Sequence, residues 1–187
     1  MDKLFFFDLE TTGVKYWKNG IHQISGAIQI DGEIKEQFDF KVRPIENCEI
    51  DDEALKIGGV SIEQIKQYTE MNIVYSQLIN LLSKYCNKYN KNDKFHLVGY
   101  NNSSFDNQFL RAFFIQNKDQ YFGSWFWSDS IDCFVLASNK LRKERVNLEN
   151  FKQGTVAKYL GIAVDESKLH DAKYDIFICM EIFKRVS

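Results

Sequence analysis

The chain has 187 residues, a formal net charge of −2, 44% hydrophobic residues and 15% aromatic ones. That length holds one full core and falls short of two, so a single domain over 1–187 is expected. The balance excludes a disordered chain and a strongly basic passive nucleic-acid binder, but not an enzyme whose metals meet phosphates locally.

Lys3 to Gly13 opens with an apolar run closed by a glycine, which predicts a strand buried on both faces. Asp8 and Glu10 at its end are two residues apart and so share a face. Val14–Gly20 follows as a loop leaving the carboxylate end of that strand. Its Tyr16 and Trp17 are candidates for stacking on a base, set against a turn with a partly buried Trp. Ile21–Ile30 and Glu33–Arg43 predict a hairpin turned at Asp31-Gly32. In the second arm Ile34, Phe38, Phe40 and Val42 form the apolar side, which Glu36 breaks once.

Short helices are expected at 51–57 and 61–68, the second opened by a Ser61-x-x-Gln64 capping box. A longer one is expected near 71–89, with Met71, Val74, Leu78, Leu82, Tyr85 and Tyr89 as its stripe. A second buried strand at 95–100 leads through Asn101-Asn102-Ser103-Ser104 into a helix starting near Phe105-Asp106. Residues 124–130 are expected to hold the last short strand, with helices near 131–141, 153–160 and 171–185. The alternation predicts an α/β fold: a mixed sheet of antiparallel hairpin and parallel strands, flanked by helices. Lys140, Arg142, Lys143 and Arg145 read as a solvated helix end. The four cysteines are scattered, no signal pattern precedes the first strand, and no apolar stretch could span a membrane. Free thiols and a cytoplasmic location are therefore expected.

Several polar residues sit where a core should be. Asp175 falls on the apolar stripe Ala172, Ile176, Cys179, Met180 and Phe183 of the last helix. Asp8 and Glu10 share one face of a buried strand, and Asp106 opens a helix behind another. Clustered buried carboxylates repel and lose hydration, which points to a divalent cation with oxygen ligands, Mg²⁺ or Mn²⁺. For Asp106 the helix dipole is a competing explanation. His170, five residues before Asp175, suits a general base, but both can serve one centre only if His170 precedes the helix, with Asp171 as its N-cap. His22 and His96 have no such company and read as structural.

Three segments together carry a resemblance. Phe7-Asp8-Leu9-Glu10-Thr11-Thr12-Gly13, Asn101/Asn102 through Phe105-Asp106 to Phe109-Leu110, and His170-x4-Asp175 are similar to the three motifs of the DEDDh 3′–5′ exonucleases. That is the proofreading-exonuclease and ribonuclease T group of the ribonuclease H-like fold. Ser130-Ile131-Asp132 through Leu136-Ala137 resembles a further landmark of that family. Tyr100-Asn101-Asn102 stands where many bacterial members have His-Asn.

The resemblance implies a two-metal 3′–5′ exonuclease releasing nucleoside 5′-monophosphates. Asp8 would bridge both ions, Glu10 and Asp175 would complete the first site, Asp106 would hold the second, and His170 would be the base. It implies substrate contacts at Leu9, Thr11, Thr12, Asn102 and Phe105, beside Trp17 from its loop. The expected partner is a nucleic-acid 3′ end, single-stranded or frayed DNA in preference to RNA, together with a polymerase or other replication or repair protein. An RNA-trimming enzyme is the alternative. A catalytically silent nucleic-acid-binding relative would lack an acid or the histidine, and none is missing. An interaction domain with salt-bridged carboxylates would show no metal-dependent melting.

Overall fold

The computed structural model describes residues 1–169 and 171–187. At the centre of a six-stranded sheet lies β1 (Lys3–Thr11). Phe5, Phe7 and Leu9 enter the core on one face, Leu4 and Phe6 on the other. Alternation therefore puts Asp8 and Glu10 on the Leu4 and Phe6 face. Strand β2 (Ile21–Ile30) pairs antiparallel with β1, and β3 (Glu33–Arg43) antiparallel with β2. The turn residues Asp31 (φ 49°) and Gly32 (φ 84°) adopt the left-handed backbone that a two-residue hairpin needs. Both arms match the expected hairpin residue for residue.

The break at Glu36 has a physical cause. Ile28 pairs with Glu36 and Gln29 with Ile34, so Lys35 is an extra residue in a bulge. Glu36 therefore stays on the side of the next helices, where Lys84 and Tyr85 bind it, while Ile34 turns to the opposite face and is 43% exposed. Ile34 does not belong to the side that simple alternation assigned it.

Helices α1 (Asp52–Ile57) and α2 (Ile62–Lys66) follow, the second with its predicted capping box: Ser61 Oγ accepts from Gln64 N at 3.2 Å and Gln64 Oε1 from Ser61 N at 2.7 Å. A two-residue β4 (Thr69–Glu70), unsignalled in the sequence, lies parallel to β3. Helix α3 (Met71–Tyr85) stops short of residue 89, and Tyr89 is exposed. Cys86 is extended, and Asp93 accepts from Asn87 N while pairing with the buried Lys3, so the chain turns away from the helix axis.

Strand β5 (His96–Gly99) runs parallel to β1 and leads into α4 (Asp106–Gln116). The expected strand at 124–130 is not there. Trp125 and Phe126 are buried behind a short 3₁₀ turn, with one bridge from Phe126 to Phe95, and the pairing strand is β6 (Ile131–Asp132), parallel to β5. Helices α5 (Cys133–Lys140), α6 (Gln153–Tyr159) and α7 (Ala172–Val186) complete the chain. The sheet order is β4-β3-β2-β1-β5-β6. Residues of α3 and α4 build the core on the Phe5 face, and residues of α5, α6 and α7 build it on the Phe6 face. All four cysteines are free thiols, and among the described residues no helix is long and apolar enough to cross a membrane.

Candidate active site

At the C-terminal end of β1, three chain segments bring carboxylates together. Asp8 and Glu10 come from β1, opposite Ser25 and Gln23 of β2. Asp106 comes from the first turn of α4, and its Oδ1 accepts from Leu9 N at 3.2 Å, tying helix to strand. Asp175 comes from the first turn of α7. That helix starts where expected: Asp171 caps it, accepting from Tyr174 N at 2.9 Å. From α6, Gln153 Nε2 donates to the Asp175 carbonyl at 2.5 Å and fixes the helix end. His170, the expected base, lies outside the described residues.

The electrostatics bind these groups into one site. Burial, then the charges of Asp106, Glu10 and Asp175, hold the Asp8 carboxyl well above the usual carboxylate range. Burial and the Asp175 charge lift Glu10 to about 7, against an opposing pull from Lys41. Burial lifts Asp106 to about 7 as well, although backbone N–H groups including that of Leu9 favour its charged form. Such mutual elevation means that the four negative charges are close enough to destabilise one another.

Among the described residues no three carboxylate, imidazole or thiol groups close round one point as a preformed metal cage. The donor set still suits a hard divalent ion, because carboxylate oxygens are the ligands that Mg²⁺ and Mn²⁺ prefer and a cation would relieve the repulsion.

The loop after β5 owes its shape to Asp132. This buried carboxylate accepts from Asn101 N at 2.8 Å and Ser103 N at 3.3 Å, binds the Ser103 hydroxyl, and caps α5 through Phe134 N at 3.0 Å. Asn101 sits at φ 62° within it. Sequence reading saw Asp132 only as part of a landmark, since its partners are 29 and 31 residues away.

The expected substrate residues fall into distinct places. Trp17 is 65% exposed and stands edge-on to Tyr16, with ring centroids 5.0 Å apart; Tyr16 in turn leans on Phe109 of α4. Their loop is fastened by Asn19, which accepts from Lys15 N at 2.8 Å and donates to Glu49 O at 2.8 Å. Gly13 (φ 155°) makes room for it, since a Cβ there would come within 2.4 Å of the Asn19 amide. Thr11 is half-buried and donates to Gly13 O at 2.7 Å. Thr12 is fully buried, its hydroxyl engaged with Glu49 O and Gly20 N, so its side chain acts as a loop clamp. Leu9 turns its side chain into the core and offers the site only backbone. Asn102 is also fully buried, donating to Asn107 Oδ1 at 3.1 Å, and Phe105 packs on Phe109.

A family model described as Exonuclease (RNase_T) matches residues 5–183. The chain belongs to this exonuclease family. Its order of acidic motifs is that of the DEDDh 3′–5′ exonucleases, as the sequence resemblance implied. One relative of this exonuclease chain is a DNA polymerase III of the PolC type from Mycoplasmopsis pulmonis (strain UAB CTIP). It is 25% identical over 179 residues, covering 95% of this chain and 11% of the polymerase. Among solved structures, E. coli exonuclease I in complex with a dT13 oligonucleotide superposes with a TM-score of 0.79 at 20% identity, covering 100% of this chain and 41% of that one. Its zinc-bound complex with single-stranded DNA gives 0.77 at 19% identity, covering 98% and 40%. The exonuclease chain thus spans less than half the length of these relatives. The fold is the ribonuclease H-like exonuclease fold.

Proposed function

We propose that the chain hydrolyses nucleic acid from its 3′ end, one nucleotide at a time, on single-stranded or frayed DNA. The observation that carries this reading is the convergence of Asp8, Glu10, Asp106 and Asp175, with the charges of the other three all raising the proton affinity of the buried Asp8. Two divalent ions held by these carboxylates would neutralise phosphate charge, favour deprotonation of the attacking water and stabilise the leaving oxygen. Asp8, central among the charges, would be shared between the ions; Glu10 and Asp175 would flank it, and Asp106 would hold the second.

The protein's own part is to position the strand and move protons. Backbone groups at Leu9 and Thr11 lie beside the carboxylates and would orient the terminal sugar. Tyr16 and Trp17, on a braced loop, would stack on a base. His170 would take the proton of the attacking water. The water oxygen bonds to phosphorus, the bond to the 3′-oxygen of the preceding nucleotide breaks, and that oxygen takes up a proton. The departing residue carries a 5′-phosphate. A frayed end reaches such a site without an added unstacking cost.

The DNA preference is supported by the oligonucleotides held in exonuclease I structures and by the polymerase relative, which also favours a replication or repair setting. The test offers single-stranded DNA and RNA of one sequence, labelled at the 3′-terminal nucleotide, with Mg²⁺. Release of labelled 5′-monophosphate faster from DNA is expected. Faster release from RNA would make the chain a 3′-trimming ribonuclease, and release of longer fragments would refute exonucleolytic attack.

A further inference from the structure

We propose that the cavity between α6 and α7, beside Asp175, receives the nucleotide on the 5′ side of the scissile bond, whose phosphate pairs with the Lys152 ammonium. This rests on the exonuclease reading and adds to it a positioning residue from outside the acidic motifs.

Asp175 belongs to two neighbourhoods at once. Its charge acts on Asp8 and Glu10 in the carboxylate cluster. It also lines a cavity of about 290 Å³, together with Lys152, Gln153, Thr155, Lys158 and Glu166. Small-molecule sites run from ~300 to 1,000 Å³, so the space suits one nucleotide and not a folded partner.

The polar side chains around this cavity are accounted for, with one exception. Gln153 Nε2 donates to the Asp175 carbonyl at 2.5 Å, the Thr155 hydroxyl donates to Asn150 Oδ1 at 2.7 Å, and Lys158 pairs with Glu166. Lys152 is exposed, and among the described residues its ammonium has no hydrogen bond, ion pair or ring contact. Its backbone N–H donates to Asn150 Oδ1 at 2.9 Å, so the turn is held without the side chain. Lys158 and Glu166 cancel, and a cation at the carboxylate cluster would answer Asp175. What remains is one uncompensated positive charge, which selects an anion.

The fold selects which anion. Phe105 and Phe109, on which Tyr16 leans, belong to the core on the Phe5 face; Val156, Ala157 and Ile176 place the α6–α7 side on the Phe6 face. The carboxylate cluster joins the two, with Asp106 coming from α4 and Asp175 from α7. A strand cut at that cluster has its terminal nucleotide on one flank and the rest of its length on the other. With the terminal nucleotide beside Leu9, Tyr16 and Trp17, the next one falls to the cavity. Its 5′-phosphate is the nearest anion beyond the scissile group. A lysine on a flexible stem grips such a phosphate whatever base it carries.

The experiment measures kcat/KM in Mg²⁺ for release of the 3′-terminal nucleotide from trithymidylate. The comparison strand has a neutral methylphosphonate as its first linkage, which leaves the scissile bond unaltered. The native chain should prefer the fully charged strand by about 2–5-fold, the scale of an exposed ion pair. Lys152→Gln should bring that preference close to unity and Lys152→Arg should keep it. Lys173→Gln, which alters an exposed lysine outside this cavity, should leave the preference unchanged. Retention of the preference in Lys152→Gln, or its absence in the native chain, would overturn the inference and leave the exonuclease reading intact. Its equal loss in Lys173→Gln would also overturn the inference, by showing a general field in place of one paired phosphate. Failure of the native chain to release the nucleotide from either strand would overturn both.

Discussion

Replacing Asp106 by Asn should make the metal-free protein more stable and the enzyme inactive. Asp106 is 6% exposed, and burial is the chief cause of its rise from 3.8 to about 7. In the unfolded chain it ionises near 4; in the folded chain it holds its proton to about 7. The folded state therefore binds more protons across that window, and stability must fall as pH rises through it. About three pKa units at ~1.4 kcal/mol each set a ceiling of about 4 kcal/mol above pH 7. Losing a favourable charge at the α4 N-terminus returns ~0.3–1 kcal/mol. Leu9 N keeps an acceptor in the Asn carbonyl, and Asp8 loses one of the charges that raise its pKa.

The net expectation near pH 8 is a gain of about 1–3 kcal/mol, or roughly 3–10 °C in melting temperature for a chain of this length. Near pH 4 the gap should close, because the native carboxyl is then protonated as well. Thermal melts in chelator across this range measure it directly, and a parallel series with Mg²⁺ should show less stabilisation by metal in the variant. A variant that is less stable at every pH, or a gap that does not change with pH, would refute the account of Asp106 as a charge held in place at the expense of stability.

Trp17→Ala should weaken binding of a short single strand by about 1–3 kcal/mol, the worth of one stacked base. The measurement is a dissociation constant in Ca²⁺, and an unchanged value would return the exposed ring to a structural role. Asp132→Ala should cost about 2–4 kcal/mol in urea unfolding, because it strands the Asn101, Ser103 and Phe134 donors on a buried loop. A loss within error would show that the loop holds its own shape. His170→Ala should lower turnover by about 10²–10⁴-fold with strand affinity retained. Native turnover with an unchanged pH profile would remove His170 from the mechanism.

The sequence was most legible where local chemistry decides the structure. The β2–β3 hairpin follows from Asp31-Gly32 and alternation, the start of α2 from its capping box, and the start of α7 from Asp171. It misled where a long-range contact overrides a local pattern. Tyr89 continues the stripe of α3, yet the Lys3–Asp93 pair draws the chain off that axis. Trp125 and Phe126 have strand-like composition, yet they are buried in an aromatic cluster behind a 3₁₀ turn, and pairing passes to Ile131 and Asp132. Ile34 changed faces because of a bulge that one interrupted position only hinted at.

For the site, the four acids were readable as anomalies, carboxylates placed where apolar residues belong. Their convergence was not. Asp106 meets Leu9 across 97 residues, and Asp132 reaches Asn101 across 31. Neither separation leaves a trace in periodicity. His22 read as structural, and it is buried, the extra residue of a bulge between β1 and β2.

The central claim is metal-dependent attack on a free 3′ end by the carboxylate cluster. It is tested most directly by incubating the native protein and Asp8→Ala with linear and circular single-stranded DNA, in Mg²⁺ and in excess chelator. Degradation of the linear strand alone, by the native protein alone, and only with Mg²⁺ is the predicted result. Cutting of the circle, or full activity in chelator or in Asp8→Ala, would contradict it.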